Sequence, residues 1–228
     1  GTVVLTGMNS YTGDTLVSSG TLQGNTQSLH GGITNNALLV FDQTSTGTFG
    51  GTISGTGAVT KQNSGALTFN TQQNYGGGTN VTGGTLALTG NGTAGTSTIS
   101  VGSGAALDVQ NTLANAVTLN GGATLETTTG AGIVSGPVLL NTSGIFATGA
   151  GATLRVSGTV GGASPNALTV NGAGTVVLTG INTFSGGTTI NGGTLALTGG
   201  GTAGTSAIVV NSGAALDVQN TLANAVTL

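Results

Sequence analysis

The feature that most constrains this chain is an internal repeat. Gly174 to Leu197 reads GTVVLTGINTFSGGTTINGGTLAL, and the block occurs three times. Gly1 to Leu22 reads GTVVLTGMNSYTGDTLVSSGTL, and Gly65 to Leu88 reads GALTFNTQQNYGGGTNVTGGTLAL. The likeness of the second and third copies runs on without a gap. Thr85 recurs as Thr194, Asp108 as Asp217 and Leu119 as Leu228, so that 65–119 repeats as 174–228. Repetition of this kind points to units stacked in one dimension, each burying its apolar face only against its neighbours.

Inside each copy the period is finer, about 20 residues. That is too short for a helix pair and fits one turn of a β-solenoid or one leucine-rich unit. The fixed Leu ladder of leucine-rich units is missing. Each period instead holds two or three short runs of Val, Ile, Leu and Thr separated by Gly, Asn and Ser, which read as strands bounded by turns. No apolar set at helical spacing extends for a helix length. The fold class expected is therefore all-β, a β-solenoid of roughly 20 residues per coil and about eleven coils. It forms a single segment over 1–228, with repeat motifs at 1–22, 65–88 and 174–197.

Composition agrees. Only 3% of residues are charged, against roughly 25% in an ordinary globular protein. The 46 glycines suit a chain that turns every few residues. Lys61 and Arg155 are the only Lys or Arg and net charge is −3, which excludes a basic nucleic-acid surface. No run approaches the roughly 18 apolar residues of a membrane helix, so no membrane insertion of this segment is expected. With no Cys, disulfide staples and thiolate zinc sites are excluded. The stretch 120–170 is the least regular. Its shorter apolar runs and frequent Gly suggest short strands and coils of uneven length, with Pro137 and Pro165 at segment edges. Both ends cut through a repeat. The chain is therefore expected to be an excerpt of a longer polypeptide, with head-to-tail association through its ends as a corollary.

LVFDQTSTGTFGGTISGTGAVTK at 39–61, followed by NYGGGTNVTGGTLAL, resembles the passenger domains of bacterial autotransporters. The GTVVLTG-INTFSGGTTI-NGGTLAL block resembles the passenger-associated transport repeat of that family. The resemblance covers nearly the whole chain, more loosely over 120–170. It implies a right-handed parallel β-helix exported across the outer membrane of a Gram-negative bacterium through its own C-terminal β-barrel translocator. It also implies display at the cell surface or release outside. A stalk or adhesin that supports adhesion or self-association is the function it implies. The alternatives are an extracellular fibre of stacked solenoids and a polysaccharide-active β-helix enzyme.

Candidate sites each carry a plainer reading. Gly90 to Gly95 and Gly199 to Gly204 fit GxGxxG, but a strand follows where a dinucleotide site needs a helix, so both read as turns. Asp108 and Asp217 recur with their whole neighbourhoods, which favours a structural role over a cation contact. Ser28, His30 and Asp42 lack the context of a catalytic triad, which needs a buried orienting acid and an oxyanion hole. Five carboxylates spread from Asp14 to Asp217 with one Arg do not form the cluster of a lyase, and pairing of Glu126 with Arg155 has nothing to recommend it. Tyr11, Tyr75 and Phe184 align across the copies and read as packing residues beside a turn, with sugar stacking as the minor reading. The sequons at Asn80, Asn91 and Asn141 are those expected by chance in so Asn- and Thr-rich a chain. The Thr-x-Thr pairs at 44, 96 and 127 do not recur at one coil spacing, as an ice-binding face requires. No residue is assigned as catalytic, cofactor-binding or metal-binding, and no enzyme activity is expected.

Overall fold

The computed structural model describes all residues, Gly1 to Leu228, and every element in it is a strand. It is a parallel β-solenoid with about 20 residues per turn and about 11 turns. No helix is long and apolar enough to cross a membrane. The chain divides into two compact units, Gly1–Leu107 and Asp108–Leu228.

In the first unit one sheet stacks Thr2–Val4, Thr21–Gly24, Leu38–Asp42, Ala58–Gln62, Thr79–Val81 and Ile99–Val101, all parallel. A second stacks Gly47–Phe49, Ala66–Phe69 and Thr85–Leu88. A third, Thr15–Val17, Ile33–Asn35 and Ile53–Ser54, stops after three strands. In the second unit one sheet stacks Val117–Leu119, Val138–Leu140 and Val160–Gly161. Another runs from Thr124–Thr127 through Gly144–Thr148, Leu168–Gly172, Thr188–Ile190 and Ile208–Val210 to Val226–Thr227. The third runs from Thr112–Leu113 through Ala131–Val134, Thr153–Val156, Thr175–Leu178 and Thr194–Leu197 to Ala215–Val218.

The strands are short because alternation of β-branched or Leu residues with Thr, Ser and Asn lasts only two to five residues before a Gly or Asn corner. Alternation sends one set inward, so like residues stack from coil to coil. Leu154, Val176 and Leu195 form one such column, and Val156, Leu178 and Leu197 form another, all fully buried. In the first unit Phe41, Phe49 and Phe69 fill the interior edge to face, with centroids 5.3 to 6.2 Å apart.

Between 120 and 170 the strands are not shorter than elsewhere. Gly144–Thr148 and Leu168–Gly172 have 5 residues each, and every coil there carries three strands. Glycines that accept the crowded approach of a neighbouring coil made the apolar rhythm faint without interrupting the ladder. Gly132, Gly144 and Gly149 are examples, each hard against atoms of the preceding coil.

The repeat blocks are built differently. In them two faces of the coil are strands and the third is an irregular segment, 70–78 and 89–98 in the first unit, 179–187 and 198–207 in the second. These segments carry the aromatics and the GxGxxG runs. They are also where the backbone ladder is interrupted and side chains take over its hydrogen bonds.

Candidate functional site

In the second and third repeat blocks four residue types meet on the irregular face. Tyr75 and Phe184 are fully buried there, and Tyr11 is half-buried. The rings fix where glycine must stand in the next coil. A Cβ on Gly95 would lie 2.6 Å from the Tyr75 ring, and one on Gly204 would lie 2.6 Å from the Phe184 ring. Both glycines also have positive φ, +68° and +73°. A Cβ on Gly92 or Gly201 would collide with the carbonyl oxygen of Phe69 or Leu178. The glycines of the GxGxxG runs thus let one coil lie flat against the aromatic of the coil before.

Four residues after each aromatic stands a threonine. Thr79 Oγ1 donates to the Ala94 carbonyl at 3.0 Å, and Thr188 Oγ1 donates to the Ala203 carbonyl at 3.1 Å. The Tyr75 hydroxyl donates to Thr79 Oγ1 at 2.6 Å, and burial raises its pKa well above the usual tyrosine value. In the first block the Tyr11 hydroxyl accepts the His30 backbone N–H at 3.0 Å, and the His30 ring packs edge-on against Tyr11 at 5.7 Å.

Two residues before each aromatic stands an amide: Asn9, Gln73 and Asn182. Gln73 and Asn182 are buried. Gln73 Oε1 accepts the Ile53 N–H at 2.7 Å, and Asn182 Oδ1 accepts the Val160 N–H at 2.7 Å. Gln73 Nε2 donates to Gly51 O at 3.1 Å and Thr71 O at 3.0 Å, and Asn182 Nδ2 donates to Thr202 O at 2.6 Å. Asn9 Nδ2 donates to Ser28 O at 3.0 Å. Ile53 and Val160 each lie in the last strand of their sheet. A side-chain carbonyl thus takes the place of the missing next strand's peptide carbonyl, since a buried N–H must find a partner.

The next coil completes the arrangement. Thr93 Oγ1 accepts the Gln73 N–H at 2.8 Å and donates to Gln73 O at 2.9 Å. Thr202 Oγ1 does the same for Asn182, at 2.7 and 3.0 Å. The sequence reading singled out the aromatics and missed the amides, although their common offset from the aromatic in all three copies was there to see.

The remaining candidates hold the coil together. Ser28 is buried and its Oγ exchanges hydrogen bonds with Asn25. His30 Nε2 meets Gln27 O at 2.9 Å, and Asp42 accepts from Gln23 Nε2 at 2.8 Å and from Asn63 Nδ2. Asp108 accepts from Thr128 N at 3.1 Å, Thr128 Oγ1 at 2.6 Å and Gln110 Nε2 at 2.7 Å, donors that take up the lone pairs a cation would need. Asp217 keeps only the counterpart of the last, Gln219 Nε2 at 2.7 Å. Burial, and then the neighbouring Asp108 charge, pushes the Glu126 carboxyl above its ordinary range. Arg155 lies in a different sheet from Glu126, exposed between Ile133 and Val177. Of the sequons, Asn80 is exposed, Asn141 donates to Asn120 Oδ1 at 2.9 Å, and Thr93 is taken by Gln73. Thr127 is buried and donates to Val109 O at 2.8 Å, so the pair at 127 presents no face.

Lys61 is the unexpected residue. It points inward and is fully buried, and Nζ donates to the carbonyls of Asn63 at 2.7 Å, Gly83 at 2.8 Å and Gln62 at 3.1 Å. Burial lowers its pKa from 10.5 to about 8, with Asp42 pulling the other way. On the outside of the second unit, Asn191 donates to Asn171 at 3.0 Å and Asn211 donates to Asn191 at 2.7 Å, an exposed amide ladder one coil per step.

Comparison with known proteins bears on these blocks directly. The family model for the passenger-associated transport repeat matches residues 1–23, 59–88 and 168–197, and each match contains one of the amide–aromatic pairs Asn9–Tyr11, Gln73–Tyr75 and Asn182–Phe184. The chain is 33% identical over 198 residues to the adhesin BmaC autotransporter of Brucella suis biovar 1 (strain 1330). The alignment covers 85% of this chain and 5% of that protein's length. No solved structure matches the chain.

Proposed function

The chain belongs to the autotransporter passengers that carry passenger-associated transport repeats, and on that basis we propose that it is a non-catalytic β-helical segment of a surface stalk or adhesin. Membership indicates a cell-surface or extracellular location. The observation that carries the reading is the coincidence of the three repeat matches with the three amide–aromatic blocks, in a chain related to an adhesin passenger. Its polar groups support a structural part. Ser28, His30, Asp42, Lys61 and Asp108 are each engaged in holding a turn or a coil.

In this proposal the partner is a C-terminal β-barrel translocator in the same polypeptide, and the passenger crosses it unfolded. Folding outside then proceeds coil by coil, since each new coil finds its template in the one already formed. Adhesion is the finer part of the proposal, with self-association between copies as its companion. The test is to display the chain on bacteria as a fusion to an outer-membrane barrel and compare them with bacteria carrying the barrel alone. Increased attachment to host cells or matrix supports adhesion, and faster settling of the suspension supports self-association. Equal behaviour in both assays contradicts the functional reading while leaving the family assignment intact.

A further inference from the structure

We infer that Asn182, and Gln73 in the first unit, are register keys: positioning residues that select which of two stackings adjacent coils adopt.

The chain needs such a device. Strands Thr153–Val156 and Thr175–Leu178 pair with Thr153 against Thr175, Leu154 against Val176 and Arg155 against Val177. A slip of two residues would set Thr153 against Val177 and Leu154 against Leu178. Side-chain direction has a period of two, so the apolar residues would still face inward. The two buried columns of this sheet, Leu154, Val176 and Leu195 and then Val156, Leu178 and Leu197, are all Leu and Val, so hydrophobic burial in them discriminates weakly between the two stackings.

The amide does discriminate. Asn182 Oδ1 meets one N–H, that of Val160, at 2.7 Å inside the protein. A two-residue slip carries the amide about 7 Å along the strand, beyond hydrogen-bond reach. It then separates the amide oxygen from the Val160 N–H and leaves both buried groups without their present partner, while the amide nitrogen stays bonded to Thr202 O in the following coil; the two lost partners are what disfavours the slip. Gln73 and Ile53 repeat the arrangement in the first unit with a side chain one methylene longer. Asn35, which donates to Ala58 O at 2.9 Å, and Gln43, which accepts the Thr26 N–H at 3.1 Å, are further buried amides that reach an adjacent coil. A buried polar group that fixes register in an otherwise permissive apolar stack is the best-attested use of such groups.

The chain has no cysteine, so introduced thiols report the register without interference. The pair Thr153→Cys with Thr175→Cys joins outward-facing in-register partners, within disulfide reach. The pair Thr153→Cys with Val177→Cys closes only after a two-residue slip. Each pair is refolded in the whole chain and oxidised. With Asn182 in place, the first pair closes and the second does not. With Asn182→Leu, the slipped disulfide is expected to rise about tenfold, at the expense of the native one. Asn182→Asp keeps the acceptor and should keep the native register. Asn182→Ser, too short to reach Val160, serves if the leucine variant does not fold. A folded Leu or Ser variant that closes only the native pair overturns the inference. Failure of both to fold also overturns it, since the amide would then support the coil without choosing its register.

Discussion

The ring of Phe184 lies 2.6 Å from where a Cβ on Gly204 would stand, and Tyr75 stands in the same relation to Gly95. An aromatic in one coil and a glycine in the next thus form a single packing unit, present in both units of the chain. Gly204→Ala would meet the ring and also strain a φ of +73°. The expected loss is about 2–3 kcal/mol, read from the midpoint of urea unfolding. Phe184→Leu in the same chain should recover only the part due to the ring, since the same Cβ would also lie 2.6 Å from the Phe184 carbonyl oxygen. Gly104→Ala has a similar φ of +70° but open space around it, so it should cost less than Gly204→Ala.

The threonine that closes the second and third blocks has a separate test. Thr202→Val and Thr93→Val keep the shape and remove the acceptor for the buried N–H of Asn182 or Gln73. Each is expected to cost about 1–3 kcal/mol, while the corresponding Ser variants lose less. Faster hydrogen exchange at Asn182 and Gln73 in the Val variants, confined to the affected block, is the accompanying signature.

These two expectations show what the sequence disclosed. Tyr75 and Phe184 announced themselves because the copies align on them, and the columns of Leu154, Val176 and Leu195 followed from runs of alternating apolar residues. The solenoid followed from the period, and its parallel β-helical form from the resemblance of the repeat block to autotransporter passengers. Asn182 and Gln73 were hidden because Asn and Gln are ordinary in turns, and one line of sequence does not tell a solvated amide from one aimed at a buried N–H. Lys61 was hidden for the opposite reason. A lone lysine reads as surface, and only the turn carbonyls of Gln62, Asn63 and Gly83 make an interior ammonium tolerable. The coils of 120–170 were underestimated because glycines needed for close coil approach diluted the strand pattern.

Lys61 gives the chain a dependence on pH. Its folded pKa of about 8 lies below the 10.5 of the unfolded chain. Between those values the unfolded state binds more protons, so stability should rise with pH. Unfolding midpoints should therefore increase from about pH 7.5 to about pH 9.5, and Lys61→Met should flatten that rise. Tyr75, whose pKa is raised by burial, acts in the opposite sense only once the pH exceeds its ordinary value of 10.0.

The central claim is that the chain is a passenger segment that reaches the cell exterior and folds there. The direct measurement is protease treatment of intact bacteria expressing the chain between a secretory leader and an outer-membrane barrel, followed by immunoblotting. The account predicts a chain that antibodies reach on unbroken cells and that survives as a protease-resistant core. It further predicts that Gly204→Ala shortens that core. A wild-type chain confined to the periplasm, or one outside the cell that is digested as fast as an unfolded polypeptide, would contradict it.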